Sequence, residues 1–208
     1  GQEQQIALEK FPTQEMLVAR YYAELHSGKG ISDMEKKIVS QPYYSSQSTY
    51  PPRYYQRNAV NRTVEAIARG QQRLLLVMAT GTGKTYTAFQ IVYRLLRSDL
   101  KKRILYLADR NILVDQSILQ DFAPLEKTIY KVDFSDKACL SKIASREVNF
   151  ALYHQMVGQN DEEHFKQIPA EYFDLIIVDE CHRGSAKEDS NWRKVLEYFT
   201  SATQIGMT

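Results

Sequence analysis

The 208-residue sequence has only two cysteines, Cys139 and Cys181, far apart and in no CxxC pair. That excludes a disulfide framework and fits a reducing cytoplasm. His154, His164, His182 and Cys181 also lack the short paired spacing of zinc ligands, so no zinc site is expected. The chain lacks any run of about eighteen uncharged apolar residues, so no membrane span is expected. It lacks the basic, apolar, small-residue opening of a secretory signal. Charge of one sign is scarce too: 27 Lys and Arg stand against 25 Asp and Glu, a net charge of +2. Such a balance identifies no partner, because a phosphate-gripping protein concentrates its basic groups on one surface and a total cannot show that. What is present is 43% hydrophobic and 25% charged, enough for a core and ordinary for a soluble protein. The length suits one large domain, or a domain plus an extension. The first residue is Gly1, not methionine, and an apolar run over Gln204–Thr208 reads as an unfinished strand, so a piece of a longer chain is expected.

Residues 1–50 differ from the rest. An amphipathic helix is predicted from an N-cap at Thr13 to Leu25, followed by His26-Ser27-Gly28-Lys29-Gly30. A polar stretch rich in Ser, Gln and Tyr then runs from Gln41 to Pro52, in the manner of a linker or a segment laid on a neighbouring domain. From Arg53 onward strand-like runs alternate with helical patterns. Val60, Val64 and Ile67 share a helical face closed by Gly70. Strands are predicted over Leu74–Met78, Arg103–Leu107, Asn149–Tyr153 and Asp174–Val178, and helices over Lys84–Leu96 and Asn111–Leu119. Runs such as Leu175-Ile176-Ile177-Val178 have no polar alternation, so both their faces should be buried. Buried runs separated by helices indicate an α/β domain, a mainly parallel sheet with helices on both faces.

The strongest chemical signal is Ala79-Thr80-Gly81-Thr82-Gly83-Lys84-Thr85, between an apolar strand and an amphipathic helix. Glycines let the backbone curl so that several N–H groups point at one phosphate, and the helix start adds roughly half a positive charge. Lys84 then reaches the β/γ-phosphates of a nucleotide, and the Thr85 hydroxyl can ligate Mg²⁺. The general phosphate-loop (P-loop) pattern has glycine at position 78, where this chain has Met78. The second signal is Asp174-Leu175-Ile176-Ile177-Val178-Asp179-Glu180-Cys181-His182, a buried strand ending in two carboxylates at the sheet edge where α/β ligands bind. Asp179 is placed to hold Mg²⁺ and Glu180 to orient and activate the attacking water.

These motifs resemble those of superfamily 2 helicases. Asp179-Glu180-Cys181-His182 resembles their motif II, Met78–Thr85 motif I, and Leu107-Ala108-Asp109-Arg110 with Gln116 motif Ia. Arg53-Tyr54-Tyr55-Gln56 resembles their adenine-reading element, and Gly206-Met207-Thr208 the start of motif III. Within the superfamily the chain is most similar to the motor (R) subunit of type I restriction enzymes. The features behind that are Met-Ala-Thr-Gly-Thr-Gly-Lys-Thr, Leu-Ala-Asp-Arg-Asn-Ile-Leu-Val-Asp-Gln, Asp-Glu-Cys-His-Arg-Gly-Ser and the Phe11-Pro12-Thr13 helix start. The resemblance implies a RecA-like P-loop NTPase domain over residues 51–208, the first of two such motor domains. Residues 1–50 would be a helix and tyrosine-rich linker before it.

The resemblance also implies roles. Gln56 would bond the adenine edge, with Arg53 or Tyr55 flanking the base, and the backbone of Thr80, Gly81, Thr82 and Gly83 would cradle the phosphates. Arg110 would touch the nucleic-acid backbone, a contact that positions without reading sequence. Tyr153, with His154 and Gln155, stands where the family has another nucleic-acid contact. His182 would link the nucleotide site to the second motor domain or the nucleic acid, or be satisfied within its own loop. Tyr43, Tyr44, Tyr50, Tyr54 and Tyr55 could stack on bases, and more often such a cluster anchors a linker to a core.

The implied function is the ATP-binding half of an ATP-dependent translocase on double-stranded DNA, with ATP and Mg²⁺ as cofactors. Its partners would be the second RecA-like domain and the modification and specificity subunits of a restriction complex, in the cytoplasm. No convincing nuclease set of carboxylates and lysine is present, so no cleavage chemistry is assigned. Without the second domain's arginines the chain alone is expected to hydrolyse ATP negligibly. Two alternatives stay open: another superfamily 2 helicase acting in DNA repair or on RNA, and a P-loop kinase or nucleotide-binding module without motor function.

Overall fold

A computed structural model of the chain describes residues 11–25, 32–46, 50–108, 120–158, 162–179 and 193–208. The predicted helix over 111–119, Arg110, Gln116 and Glu180–His182 lie outside the described residues. The described strands are β1 (Arg73–Leu76), β2 (Ile104–Ala108), β3 (Ile129–Lys131), β4 (Val148–Leu152), β5 (Leu175–Val178) and β6 (Thr203–Met207). They form one sheet in the order β1-β6-β5-β2-β4-β3, with every pair parallel. Side chains alternate across it: Ile104, Tyr106 and Ala108 enter one core and Leu105 and Leu107 the other. Both faces of β2 are buried, as its unbroken apolar run requires.

The first core lies under α2 (Asp33–Ser40), α3 (Tyr54–Ala68) and α4 (Lys84–Arg97). α3 ends where Gly70 adopts φ +85° and the Gln71 N–H reaches back to the Ala66 carbonyl at 3.0 Å, a left-handed closure that glycine takes without strain. α4 carries Arg94 and Arg97 in its last turn, which suits the negative end of its dipole. The second core lies under α5 (Cys139–Ala144), α6 (Tyr153–Val157), the 3₁₀ turn His164–Gln167 and the helical residues 193–198.

Near the N-terminus, α1 (Gln14–Leu25) starts where expected, the Thr13 hydroxyl accepting from the Met16 N–H at 3.3 Å. An unpredicted helix, α2, precedes the Gln41–Pro52 stretch read as linker, and Tyr43 and Tyr44 of that stretch pack on the first core. Ser32 and Glu35 form a capping box that starts α2, and fully buried Ile38 joins the first core. Glu35 pairs with Arg69 of α3 at 2.7 Å. Burial alone would raise the Glu35 carboxyl, but the Arg69 hydrogen bond and the Ser32 backbone and side-chain bonds win and hold it at about 2. Tyr43 donates to Asn61 at 2.6 Å, and Arg94 of α4 bonds the Ile38 carbonyl at 2.6 Å. Residues 32–46 thus pack against α3 and α4.

Three predicted features shift. β1 runs over Arg73–Leu76 and stops two residues before Met78, whose N–H still bonds the Thr208 carbonyl beyond β6. Tyr153 opens α6 instead of closing β4. β3, α2 and α5 were not legible as elements: three to eight residues are too few for a period to emerge.

Candidate nucleotide-binding site

The glycine-rich loop leaves the C-terminal end of β1 with its root tied to β6. The Met78 N–H donates to the Thr208 carbonyl at 2.8 Å, and the Thr208 N–H to the Leu76 carbonyl at 3.0 Å. Within the loop the Thr82 hydroxyl donates to the Ala79 carbonyl at 2.6 Å. Gly81 and Gly83 hold φ of +78° and +82°. At Gly83 a Cβ would also lie 2.5 Å from Gln56 Nε2, so both backbone and space require glycine there. α4 then begins at Lys84, and the Thr87 N–H and hydroxyl both return to the Gly83 carbonyl at 2.9 Å. Lys84 and Thr85 are half-buried, and Thr80 is exposed.

Gln56, expected at the adenine, binds the loop itself. It is buried in the first turn of α3, where Nε2 donates to the Thr82 carbonyl at 2.8 Å and Oε1 accepts from the Arg53 N–H at 2.9 Å. One amide hydrogen and one lone pair remain for a ligand. Beside it opens a cleft of about 640 Å³ lined by Tyr50, Arg53, Tyr55, Gln56, Gly83 and Tyr86. Asp121 also lines the cleft, and burial pushes its carboxyl up.

Asp179 follows β5, two strand positions from β1, with β6 between. Because every pair is parallel, its loop and the phosphate loop leave the same sheet edge. The Asp179 N–H donates to the Leu107 carbonyl at 2.9 Å, and its Oδ2 accepts from the Tyr106 hydroxyl at 3.0 Å. Burial first, then the Asp179 charge, push the Tyr106 phenol well above its ordinary value, so Tyr106 stays a donor. The Tyr153 hydroxyl donates to the Asp179 carbonyl at 2.9 Å, turning this side chain inward, while its neighbour His154 is exposed. Among the described residues no three or more His, Cys, Asp or Glu cluster as metal ligands.

The structure places the loop glycines, Lys84, Thr85 and Asp179 at one sheet edge with Gln56 against the loop, and sets Tyr50 and Tyr55 of the expected tyrosine cluster along the cleft; the sequence reading did not single out Tyr86 or Tyr106. A tyrosine inside the apolar run Ile104-Leu105-Tyr106-Leu107-Ala108 was the available signal, since a buried phenol needs an acceptor.

A parallel sheet with a phosphate loop after its first strand and an acid-ended strand two places away defines a RecA-like domain of the superfamily 2 helicase type. The comparisons narrow this: the chain belongs to the family described as type III restriction enzyme, res subunit, whose model matches residues 49–208. It is 49% identical over 207 residues to the type I restriction enzyme EcoAI endonuclease subunit of Escherichia coli, covering 99% of this chain and 24% of that protein. A solved fragment described as an HsdR subunit of a type I restriction enzyme from Vibrio vulnificus YJ016 superposes with a TM-score of 0.68 at 36% identity. That match covers 97% of this chain and 32% of the fragment. The UvsW helicase of bacteriophage T4, with a TM-score of 0.59 at 17% identity over 90% of this chain and 67% of its own, shares the fold. The chain thus spans about a quarter of the length of its E. coli relative. No described helix is long and apolar enough to cross a membrane.

Proposed function

We propose that this chain is the ATP-binding half of a DNA translocase motor in a type I restriction enzyme, with residues 51–208 as the first motor domain. What carries the reading is the convergence of the curled loop, Gln56 and Asp179 on one sheet edge, with a base-sized cleft beside them. The similarity to the EcoAI subunit supports the choice of type I enzyme over a repair or RNA helicase. The residues present fit the cofactors. Two left-handed glycines shape an amide cradle for phosphate, and one hydroxyl with one carboxylate are hard oxygen donors of the kind Mg²⁺ takes alongside phosphates.

In this reading the amides of Thr80–Gly83 cradle the phosphates and Lys84 neutralises the β/γ charge. The Thr85 hydroxyl and Asp179 hold Mg²⁺, with Tyr106 orienting the carboxylate. Gln56 offers its remaining hydrogen and lone pair to the adenine edge, so the base and the loop are read by one side chain. Glu180 orients and deprotonates the attacking water. Bound MgATP supplies the phosphoryl chemistry. Arginines of a second RecA-like domain complete the site, a contribution worth roughly 10³ to 10⁵ in rate. Closing and opening of that domain would switch Arg110 between grip and release on the backbone of double-stranded DNA. At the DNA side Tyr153 ties the end of β4 to Asp179 and leaves His154 outermost. Modification and specificity subunits in the cytoplasm would complete the assembly.

The test is a titration of the chain with MgATP. Lys84→Ala should weaken binding on the order of a hundredfold, the loss of a charge-assisted phosphate contact, with the melting temperature little changed. Equal affinities for the variant and the parent chain reject the site.

A further inference from the structure

Gln90 lies one turn beyond Tyr86 on α4 and is fully buried. Its side-chain amide has the same donor and acceptor as a peptide group, and the main chain of Tyr44 uses both. The Tyr44 N–H donates to Oε1 at 2.9 Å, and Nε2 donates to the Tyr44 carbonyl at 3.1 Å. The second hydrogen of Nε2 goes to the Tyr86 hydroxyl at 2.9 Å, and that hydroxyl donates to the Tyr50 carbonyl at 3.0 Å. Both amide hydrogens are thereby used, and the chain of bonds ends on two tyrosines that line the cleft.

We propose that Gln90 is a positioning residue for the nucleobase. It touches no nucleotide. Through the Tyr86 hydroxyl it fixes the tyrosine wall of the cleft against the phosphate-loop helix. Through its bonds to the Tyr44 main chain it fastens that point of the N-terminal extension to the same helix, so that part of the chain before the motor core helps shape the base site. Residue chemistry singles out glutamine for this place. Leucine would leave the Tyr44 N–H and carbonyl unpaired beneath the packed Tyr44, Phe89 and Tyr93 rings. Ionised glutamate has no hydrogen to give Tyr86 and would set a second acceptor against the Tyr44 carbonyl. The inference rests on reading the cleft as the base site of ATP.

The experiment compares MgATP with magnesium tripolyphosphate, which has phosphates and no base, each measured by competition on the intact chain. In Gln90→Leu the ATP affinity should fall about tenfold, the usual scale for unpairing buried polar groups, while tripolyphosphate stays within about twofold. Tyr86→Phe keeps the ring and loses the hydroxyl bridge, so it should fold normally and weaken ATP about threefold, again sparing tripolyphosphate. If both ligands weaken together, Gln90 merely supports the loop and the proposal fails. ATP affinity unchanged in Tyr86→Phe overturns it too, whatever the stability of Gln90→Leu. A parent chain that binds tripolyphosphate but shows no gain from the base overturns this inference alone. A parent chain that binds neither ligand overturns the ATP reading with it.

Discussion

The two faces of the sheet are covered in different ways. One face carries α3 and α4, 15 and 14 residues long, with α2 laid across them. The other carries α5 and α6, six and five residues long, with a 3₁₀ turn and the helical residues 193–198. Helices shorter than about a dozen residues are marginal in water, so the second face owes its order to packing against the sheet. The long helices are also the ones that begin at the site: Gln56 sits in the first turn of α3 and Lys84 opens α4. Their apolar stripes run far below the site and set its geometry from the core. The second face reaches the site through the Tyr153 hydroxyl, which donates to the Asp179 carbonyl. The difference teaches a division of labour: one face aims the groups proposed to hold nucleotide, and the other anchors the acid strand.

Three experiments can break or sharpen that division. The largest effect should come where the acid strand meets chemistry. In a polypeptide joining this chain to a second RecA-like domain, Glu180→Gln should leave ATP binding intact and cut turnover about a thousandfold, the scale of a lost general base. Steady-state ATPase assays with duplex DNA check this, and retained turnover removes Glu180 from its role. Next, Phe89→Ala and Phe173→Ala open equivalent holes in the two cores, since both rings are almost fully buried. Urea unfolding should show each losing roughly 3–5 kcal/mol. Only Phe89→Ala should also weaken ATP, because Phe89 packs beside Tyr86 and Tyr44. Equal ATP affinities in the two variants would erase the distinction.

The smallest effect concerns α2. Glu35 is held at about 2 in the folded chain against an ordinary 4.5, so the unfolded state binds a proton first as the medium is acidified. Its contribution is complete above pH 4.5 and disappears as pH falls toward 2. Between those limits the parent chain should lose stability that Glu35→Gln does not lose. Urea midpoints across that range measure the difference, and parallel curves would show that the Arg69 pair adds nothing to the docking of α2.

Much of this is legible in the amino-acid sequence. The loop is, because its signal is contiguous and two of its glycines take a backbone conformation that other residues avoid. The parallel sheet is, because runs such as Leu175–Val178 can satisfy their apolar side chains only by burying both faces. Ser32 and Glu35 have the spacing of a capping box, but eight residues are too few for α2 to show a helical period of its own. Tyr153 was read by its place at a strand end, yet its hydroxyl turns inward to an acceptor 26 positions away.

The amino-acid order alone determined that a curled glycine-rich loop, an acid-ended strand and a layered α/β core would exist, since each depends on neighbours within a few residues. Only the tertiary structure decided that β6 would lie between β1 and β5, that Gln56 would grip the loop, and that Tyr106 would hold Asp179. Those contacts join residues 26 and 73 positions apart in the two side-chain cases. Local periodicity carries no record of such pairings; they follow from which buried polar groups the packed sheet leaves facing each other.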